Sequence, residues 1–356
     1  MNDSDSIDEL HPRLKQTLVQ HDNLIDELNP RAGGRSHQSF IFSGPKGIGK
    51  ATAAYTLARR LFSNTSKEAG LFGDAPSPSA DDPQARLVAA NSHPDLLTLE
   101  PDPTKASQTI TVEQIRKISH FLSHSPKMGE WRMVIVDSLD AVNFNGANAM
   151  LKTLEEPPAH SLIVLINHQT RPVLPTIRSR CRMVRFSPLD FDQARALVVT
   201  SFPEADPNWI DVATVLSGGA PGKVMLFADA GTVDLYAETC SLIAEDNAKP
   251  AAIETLASQW GAGGGANIAR RQSARLVFDR LITMAVRKSA GAGEMHQGAT
   301  LDIENRATDR IASLMDAEKL ALTHQDLIRN LDEAERLNTD QSVIFFNLIH
   351  GFAVSK

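Results

Sequence analysis

Phe40-Ile41-Phe42-Ser43-Gly44-Pro45-Lys46-Gly47-Ile48-Gly49-Lys50-Ala51-Thr52 runs from a short apolar stretch through a glycine-rich turn into a helical pattern marked by Ala53, Leu57, Ala58 and Leu61. Strand, turn and helix in that order are the setting in which the spacing G-x-x-x-x-G-K, here Gly44 to Lys50, forms a phosphate-binding loop. The glycines let successive backbone N–H groups turn inward around an anion. Lys50 then reaches the outer phosphates of a nucleotide, and the start of the following helix adds partial positive charge. The candidate contacts are Gly44, Pro45, Lys46, Gly47, Ile48, Gly49, Lys50, Ala51 and Thr52. A glycine-rich strand-to-helix turn without a ligand is the plainer alternative, and the flanking strand and helix favour the phosphate loop. After the lysine such loops usually carry Ser or Thr, whose hydroxyl holds Mg2+. Ala51 has no hydroxyl, and Thr52 falls one residue late on the helix.

A second stretch extends the pattern. Met133-Val134-Ile135-Val136 is continuously apolar, as in a strand buried on both faces of a parallel sheet. Asp137-Ser138-Leu139-Asp140 follows it. A carboxylate at such a strand end can hold Mg2+ through water, or simply cap the next turn. P-loop hydrolases of the ring-forming type usually place Glu directly after that Asp. Ser138 stands there instead and cannot act as a general base, and Asp140 lies two residues further on. Residues 96–99, Leu162 to Ile166 and Met183 to Phe186 read as further strands. Asn167 and His168 follow the Leu162 strand, where a polar side chain either senses a terminal phosphate or serves the loop. Val112, Ile115, Ile118 and Leu122 recur at helical spacing, as do Ala147, Met150, Leu151 and Leu154. Pro157-Pro158 stops the second of these helices. Strands alternating with helices predict a doubly wound α/β domain with a parallel sheet over residues 1–187.

The rest of the chain narrows the class. At 356 residues there is room for two or three domains. The formal charge of -7 argues against coating nucleic acid by bulk electrostatics. Cys181 and Cys240 alone supply neither a disulfide framework nor a four-cysteine zinc site. No apolar run approaches the ~18 residues of a membrane span, and Met1 to Leu10 is unlike a signal peptide, so a cytoplasmic chain is expected. Residues 1–38 read as a helical lead-in carried by Leu14, Leu18, Ile25 and Leu28. Residues 63–92, rich in Ser, Ala, Pro, Asp and Gly, read as a surface insertion or loop. Beyond Pro188 the pattern is helical, with a glycine-rich turn at Gly218 to Gly222 and flexible breaks at Gly261 to Gly265 and Ser289 to Gly298. Arg178, Arg180, Arg182 and Arg185 form a basic cluster in an acidic chain. A lone Arg is usually a solvated charge, but a guanidinium also suits two-point phosphate contact, including contact with a neighbour's nucleotide.

The motifs occur in a characteristic order: G-P-K-G-I-G-K; His93-Pro94-Asp95; I-T-V-E-Q-I-R at Ile110 to Arg116; V-I-V-D; A-N-A-M-L-K-T-L-E-E-P-P at Ala147 to Pro158; and L-P-T-I-R-S-R-C at Leu174 to Cys181. This order resembles the bacterial clamp-loader members of the AAA+ ATPases, over about residues 10–230 and most of all their delta-prime branch. The resemblance implies a RecA-like α/β domain over 1–187, a three-helix lid over 188–232 and a helical collar over 233–356 through which subunits assemble. It implies work in DNA replication, with gamma/tau and delta subunits as partners. The sliding clamp and primer-template DNA are met through that complex, and no membrane is involved. It also implies that Arg180, in the S-R-C motif, acts in trans on the ATP of an adjacent subunit. Delta-prime members behave as a rigid stator with little or no ATPase activity.

The departures matter. Asp137-Ser138, Ala51 and two cysteines replace the Asp-Glu pair, the hydroxyl and the zinc module typical of the hydrolysing gamma/tau sibling. ADP or ATP is the expected ligand, Mg2+ is not expected to be held firmly, and no zinc is expected. The position of the lid arginine that contacts the terminal phosphate in active relatives falls near Gly222-Lys223. Two rival readings are an ATP-hydrolysing gamma/tau subunit and a P-loop phosphotransferase for small molecules. The first lacks its carboxylate at Ser138, and the second lacks a visible acceptor pocket and the metal-binding hydroxyl.

Overall fold

Three apolar runs of the first half become central strands, because a strand covered on both faces has no use for alternation, and two less covered edge strands flank them. The five strands are β1 (Ser39–Ser43), β2 (Leu96–Leu99), β3 (Arg132–Asp137), β4 (Ser161–Asn167) and β5 (Arg182–Arg185). The computed structural model of the chain describes residues 11–15, 18, 22–30, 37–63, 78–79, 81–101, 109–245, 248–261, 268–291, 301–337 and 339–354. All strand pairs are parallel, in the order β2-β3-β4-β1-β5. Register sets the strand ends level. Ser43 lies opposite both Asn167 and Arg185, and Asp137 lies opposite Ile166. The carboxyl ends of β1, β3 and β4 therefore meet where open α/β sheets bind ligands.

The helices of this unit are α1 (Asp22–Leu28), α2 (Lys50–Phe62), α3 (Pro83–Ala89), α4 (Val112–Leu122), α5 (Phe144–Glu155) and α6 (Pro175–Arg178). Thr111 starts α4 with a reciprocal cap: its hydroxyl accepts from Gln114 N, while the Gln114 side chain accepts from Thr111 N. Asn143 caps α5 through Gly146 N at 2.8 Å. Ile115, Ile118 and Leu122 of α4 and Ala147, Met150 and Leu154 of α5 close over Val134, Val136, Ile163 and Leu165 of the sheet. The 63–92 stretch is more ordered at its end than a loop reading predicts, since Asp82 caps α3 through Gln84 N and Ala85 N. Residues 64–77 and 80 of that stretch lie outside the described residues.

The chain divides after Pro188 into two compact units. The second is helical: α7 (Phe191–Ser201), α8 (Pro207–Ser217), α9 (Gly222–Asp229), α10 (Thr232–Ala244), α11 (Pro250–Gly261), α12 (Ile268–Ser289), α13 (Asp302–Leu314), α14 (Ala317–Leu337) and α15 (Ser342–Ala353). One continuous core joins Val198 and Ile210 to Trp260, Phe278 and Phe345. The rings of Trp260 and Phe278 meet edge-on at 5.5 Å, and Phe278 stacks on Phe345 at 5.2 Å. Gly261, read from sequence as the start of a flexible break, ends α11 buried against Gln341 and Ser342. A Cβ there would overlap the Ser342 backbone, so this glycine allows a close approach. The remainder of that break, residues 262–265, lies outside the described residues, as do residues 292–298 of the second. Among the described residues no helix is long and apolar enough to cross a membrane.

Candidate functional site

The β1–α2 turn has the geometry that its glycines require. Gly47 and Gly49 take φ of 87° and 92°, which L side chains rarely adopt. At Gly44 a Cβ would fall 2.5 Å from Phe186 O and 2.6 Å from Ile48 Cδ1, so a side chain there would push the loop off β5. Gly44 N donates to Asn167 O at 3.2 Å, which ties the loop to the end of β4. Leu18, buried, lies beside the last glycine of the loop. The first turn of α2 has backbone N–H groups with no intrahelical acceptor, as at every helix start.

Lys50 opens α2 and is only 2% exposed. Its ammonium donates to Gly44 O at 2.6 Å and Pro45 O at 2.5 Å. Burial pushes its pKa down to about 8; Asp137 and Asp140 pull the other way, and Lys46 adds to the lowering. It is still mainly a cation at neutral pH, held among dipoles and short of negative charge. That is the electrostatic setting a phosphate group completes.

The carboxylates divide their work. Asp137 sits at the end of β3, with His168 Nε2 at 3.3 Å from Oδ1. Asp140 is an anchor: it accepts from His168 N at 2.6 Å, Thr170 N at 3.0 Å, Thr170 Oγ1 at 2.7 Å and Asn167 Nδ2 at 3.3 Å. Burial raises the Asp140 carboxyl, but the His168 and Thr170 donors outweigh it and hold the group below its ordinary range. Asn167 is buried and accepts from Ser43 Oγ at 3.1 Å, so its amide links β1, β4 and Asp140. Ser138 is buried beside Asp137 and brings only a hydroxyl. For Mg2+ this donor set fits poorly. Ala51 offers no oxygen, and the Asp137 carboxylate is already shared with His168. Among the described residues no cluster of three or more His, Cys, Asp or Glu is placed to hold a metal ion. Burial pushes both thiols, Cys181 and Cys240, up to about 12, so neither is a ready nucleophile.

Arg180 follows α6 and is partly exposed. Its Nε and Nη2 both donate to Glu155 Oε2, at 3.2 and 2.9 Å, and Nη1 donates to Thr176 O at 3.0 Å. Arg178, Arg182 and Arg185 are exposed. The sequence reading missed Glu155 as the partner of Arg180, although it quoted the E-E-P-P motif that contains it. The quoted His93-Pro94-Asp95 is scaffold. Asp95 accepts Lys127 N at 2.7 Å and Met128 N at 2.8 Å, and His93 stacks on Phe62 with ring centroids 3.9 Å apart.

Sheet order, glycine loop and strand-end polar residues define a P-loop α/β module in which Ser138 directly follows Asp137. A family model described as DNA polymerase III, delta subunit, matches residues 21–190. DNA polymerase III subunit delta' of Pseudomonas aeruginosa is 30% identical over 231 residues, 64% of this chain and 67% of that protein. The Escherichia coli subunit delta' is 28% identical over 54% of each chain. The tau subunit of Salmonella typhimurium is 30% identical over 52% of this chain but 27% of its own length. A gamma subunit-related protein from Thermotoga maritima superposes at 18% identity with a TM-score of 0.44, covering 94% of this chain and 98% of that one. The chain belongs to the delta-prime-like clamp-loader subunits of DNA polymerase III.

Proposed function

We propose that this chain is the delta-prime-type stator of a clamp loader, a subunit that holds a nucleotide site without hydrolysing at it and lends Arg180 to a neighbour. The reading rests chiefly on one juxtaposition. Lys50 and the loop are intact, whereas the two positions that would hold metal and activate water are Ala51 and Ser138. General-base loss alone typically costs ~10²–10⁴ in rate. ADP or ATP binds through the loop amides and Lys50 with weak dependence on Mg2+, and zinc plays no part. Helices α7 to α9 form the lid and α10 to α15 the collar. The partners are gamma/tau and delta subunits in the cytoplasm, with the sliding clamp and primed DNA reached through the assembly.

Arg180 carries the contribution to chemistry. A guanidinium at a neighbour's terminal phosphate stabilises charge that develops during transfer, and such arginines are worth ~10³–10⁵ in rate. In a reconstituted loader, Arg180→Ala is expected to leave assembly intact and to lower the DNA- and clamp-stimulated ATPase at the site facing this subunit. Arg180→Lys rescues poorly, because it keeps charge and loses the planar fork. Unchanged ATPase and clamp loading in Arg180→Ala would sink the trans role. A second reading, an ATP-hydrolysing gamma/tau subunit, draws on the tau relatives at similar identity. The ATPase of the isolated chain separates the two: turnover abolished by Lys50→Ala favours gamma/tau, and near-zero turnover the stator.

A further inference from the structure

A guanidinium has five N–H groups, and in Arg180 the chain itself engages most of them. Nε and one N–H of Nη2 go to a single oxygen, Glu155 Oε2. Nη1 donates to Thr176 O at 3.0 Å and lies 3.4 Å from Ser179 Oγ. The second N–H of Nη2 is left over, with the loosely held Nη1 contact on the adjacent nitrogen. Two donors on neighbouring terminal nitrogens match two oxygens of one phosphate. The Arg180 and Glu155 side chains are 30% and 59% exposed, and an ion pair that wet contributes little to folding. It does fix a side chain whose four rotatable bonds would otherwise have to be ordered when it meets its target. Glu155 ends α5, and Arg180 follows α6, so the pair also ties the arginine to the helix that packs on the sheet.

We propose that Glu155 is a positioning residue for Arg180: it grips the Nε–Nη2 side of the guanidinium and leaves the second Nη2 N–H, with the long Nη1 contact to Ser179 beside it, for an external phosphate. This rests on the trans-acting role of Arg180 proposed above. Positioning and repulsion make opposite demands on Glu155. A bare carboxylate near a phosphate repels it, whereas one committed to the guanidinium orients the cation. Removal of Glu155 should therefore lower the turnover number of the neighbouring site without changing its affinity for ATP.

The test uses the complete reconstituted loader with DNA and clamp, assayed for kcat and KM of ATP hydrolysis. The chain is varied as Arg180→Ala, Glu155→Ala, Glu155→Gln and the Glu155→Ala/Arg180→Ala double variant. Glu155→Ala is expected to reduce the kcat of the facing site by roughly 10-fold, within the ~10²-fold that an ångström of misplacement can cost. KM stays unchanged. Glu155→Gln, which keeps an acceptor oxygen, recovers much of the loss, and the double variant is no slower than Arg180→Ala alone. Co-elution with partners and an unchanged melting curve confirm that each variant is folded and assembled. If Arg180→Ala lowers kcat and Glu155→Ala does not, the positioning role falls and the trans role stands. A double variant slower than Arg180→Ala, or a faster Glu155→Ala, also overturns the positioning role. No effect of Arg180→Ala removes the trans role and this inference with it.

Discussion

Lys50 in the first unit and Arg280 in the second are both cations withdrawn from water, and their surroundings compensate them in opposite ways. Lys50 rests on two neutral carbonyls, with Asp137 and Asp140 acting only at longer range, and burial wins. Arg280 meets Glu304 through Nε at 2.6 Å and Nη2 at 3.0 Å, and Tyr236 OH donates to the same carboxylate, itself fully buried. Burial works against that guanidinium too, but the Glu304 hydrogen bonds and charge outweigh it and raise its pKa. The helical core holds a closed network that asks for nothing more. The phosphate loop holds a charge that its neighbours compensate only in part, since burial still outweighs the pull of Asp137 and Asp140.

The largest expected effect breaks the closed network. Glu304→Ala leaves Arg280 buried without its counter-charge and Tyr236 without its acceptor. A loss of about 3–5 kcal/mol follows for the second unit. Urea unfolding followed by the fluorescence of Trp260, buried in the same core, measures it. A loss under about 1 kcal/mol would mean that water compensates the site and that the contrast with Lys50 is false.

Next comes the open charge. In the unfolded chain the Lys50 amine keeps its proton up to its ordinary value of 10.5, and in the folded chain it yields it from about 8. Between those values the unfolded state binds more protons, so this group's contribution to stability rises with pH across the window. Below about pH 8 the full cost of the buried ammonium is present. The drop from 10.5 to about 8 corresponds to at most roughly 3–4 kcal/mol. Lys50→Met removes it, so wild type minus variant stability should climb between pH 8 and 10.5. A flat difference would show that the carbonyls and carboxylates already compensate the charge.

A smaller loss, about 1–3 kcal/mol, is expected for Asp140→Ala, which strips acceptors from the His168 and Thr170 amides. Hydrogen exchange of those two amides should quicken first. Because the folded carboxyl is held below its ordinary range, its stabilisation is complete above that range and is lost as pH falls through the folded value. Exchange unchanged from wild type would make Asp140 dispensable to the loop at 167–170.

The first unit was largely legible because its signals are local. Apolar runs gave the three central strands and the short stretches at 96–99 and Met183 to Phe186 the two edge strands, glycine spacing gave the loop, and the helical patterns gave α4 and α5. Strand order was not, because the placement of β1 between β4 and β5 depends on crossovers that no short window contains. Helix α3 was hidden by Ser, Pro and Asp composition, although Asp82-Pro83 is itself a cap followed by a first-turn proline. The partners of the candidate site were the least legible part. Asp140 reaches the loop at 167–170 across two strand ends, and Glu155 reaches Arg180 from another helix. Pairings between distant side chains leave no periodic trace. Gly261 shows the same limit: its glycine answers to Ser342, far along the chain.

The smallest expected effect sharpens the contrast. Glu155 and Arg180 form an exposed pair, unlike either buried cation, so truncating Glu155 strands nothing in the interior. Side-chain entropy regained by both residues offsets much of the lost attraction. Glu155→Ala should therefore shift the stability of the isolated chain by no more than about 0.5 kcal/mol. Urea unfolding followed through Trp131 in the first unit can resolve that bound. If the shift instead exceeds about 1.5 kcal/mol, the pair is a structural tie between α5 and the segment after α6, and any slowing of a neighbour's ATPase by the same variant would follow from a loosened scaffold. A stability unchanged within error, beside a turnover that falls, separates the arginine's presentation from its anchorage.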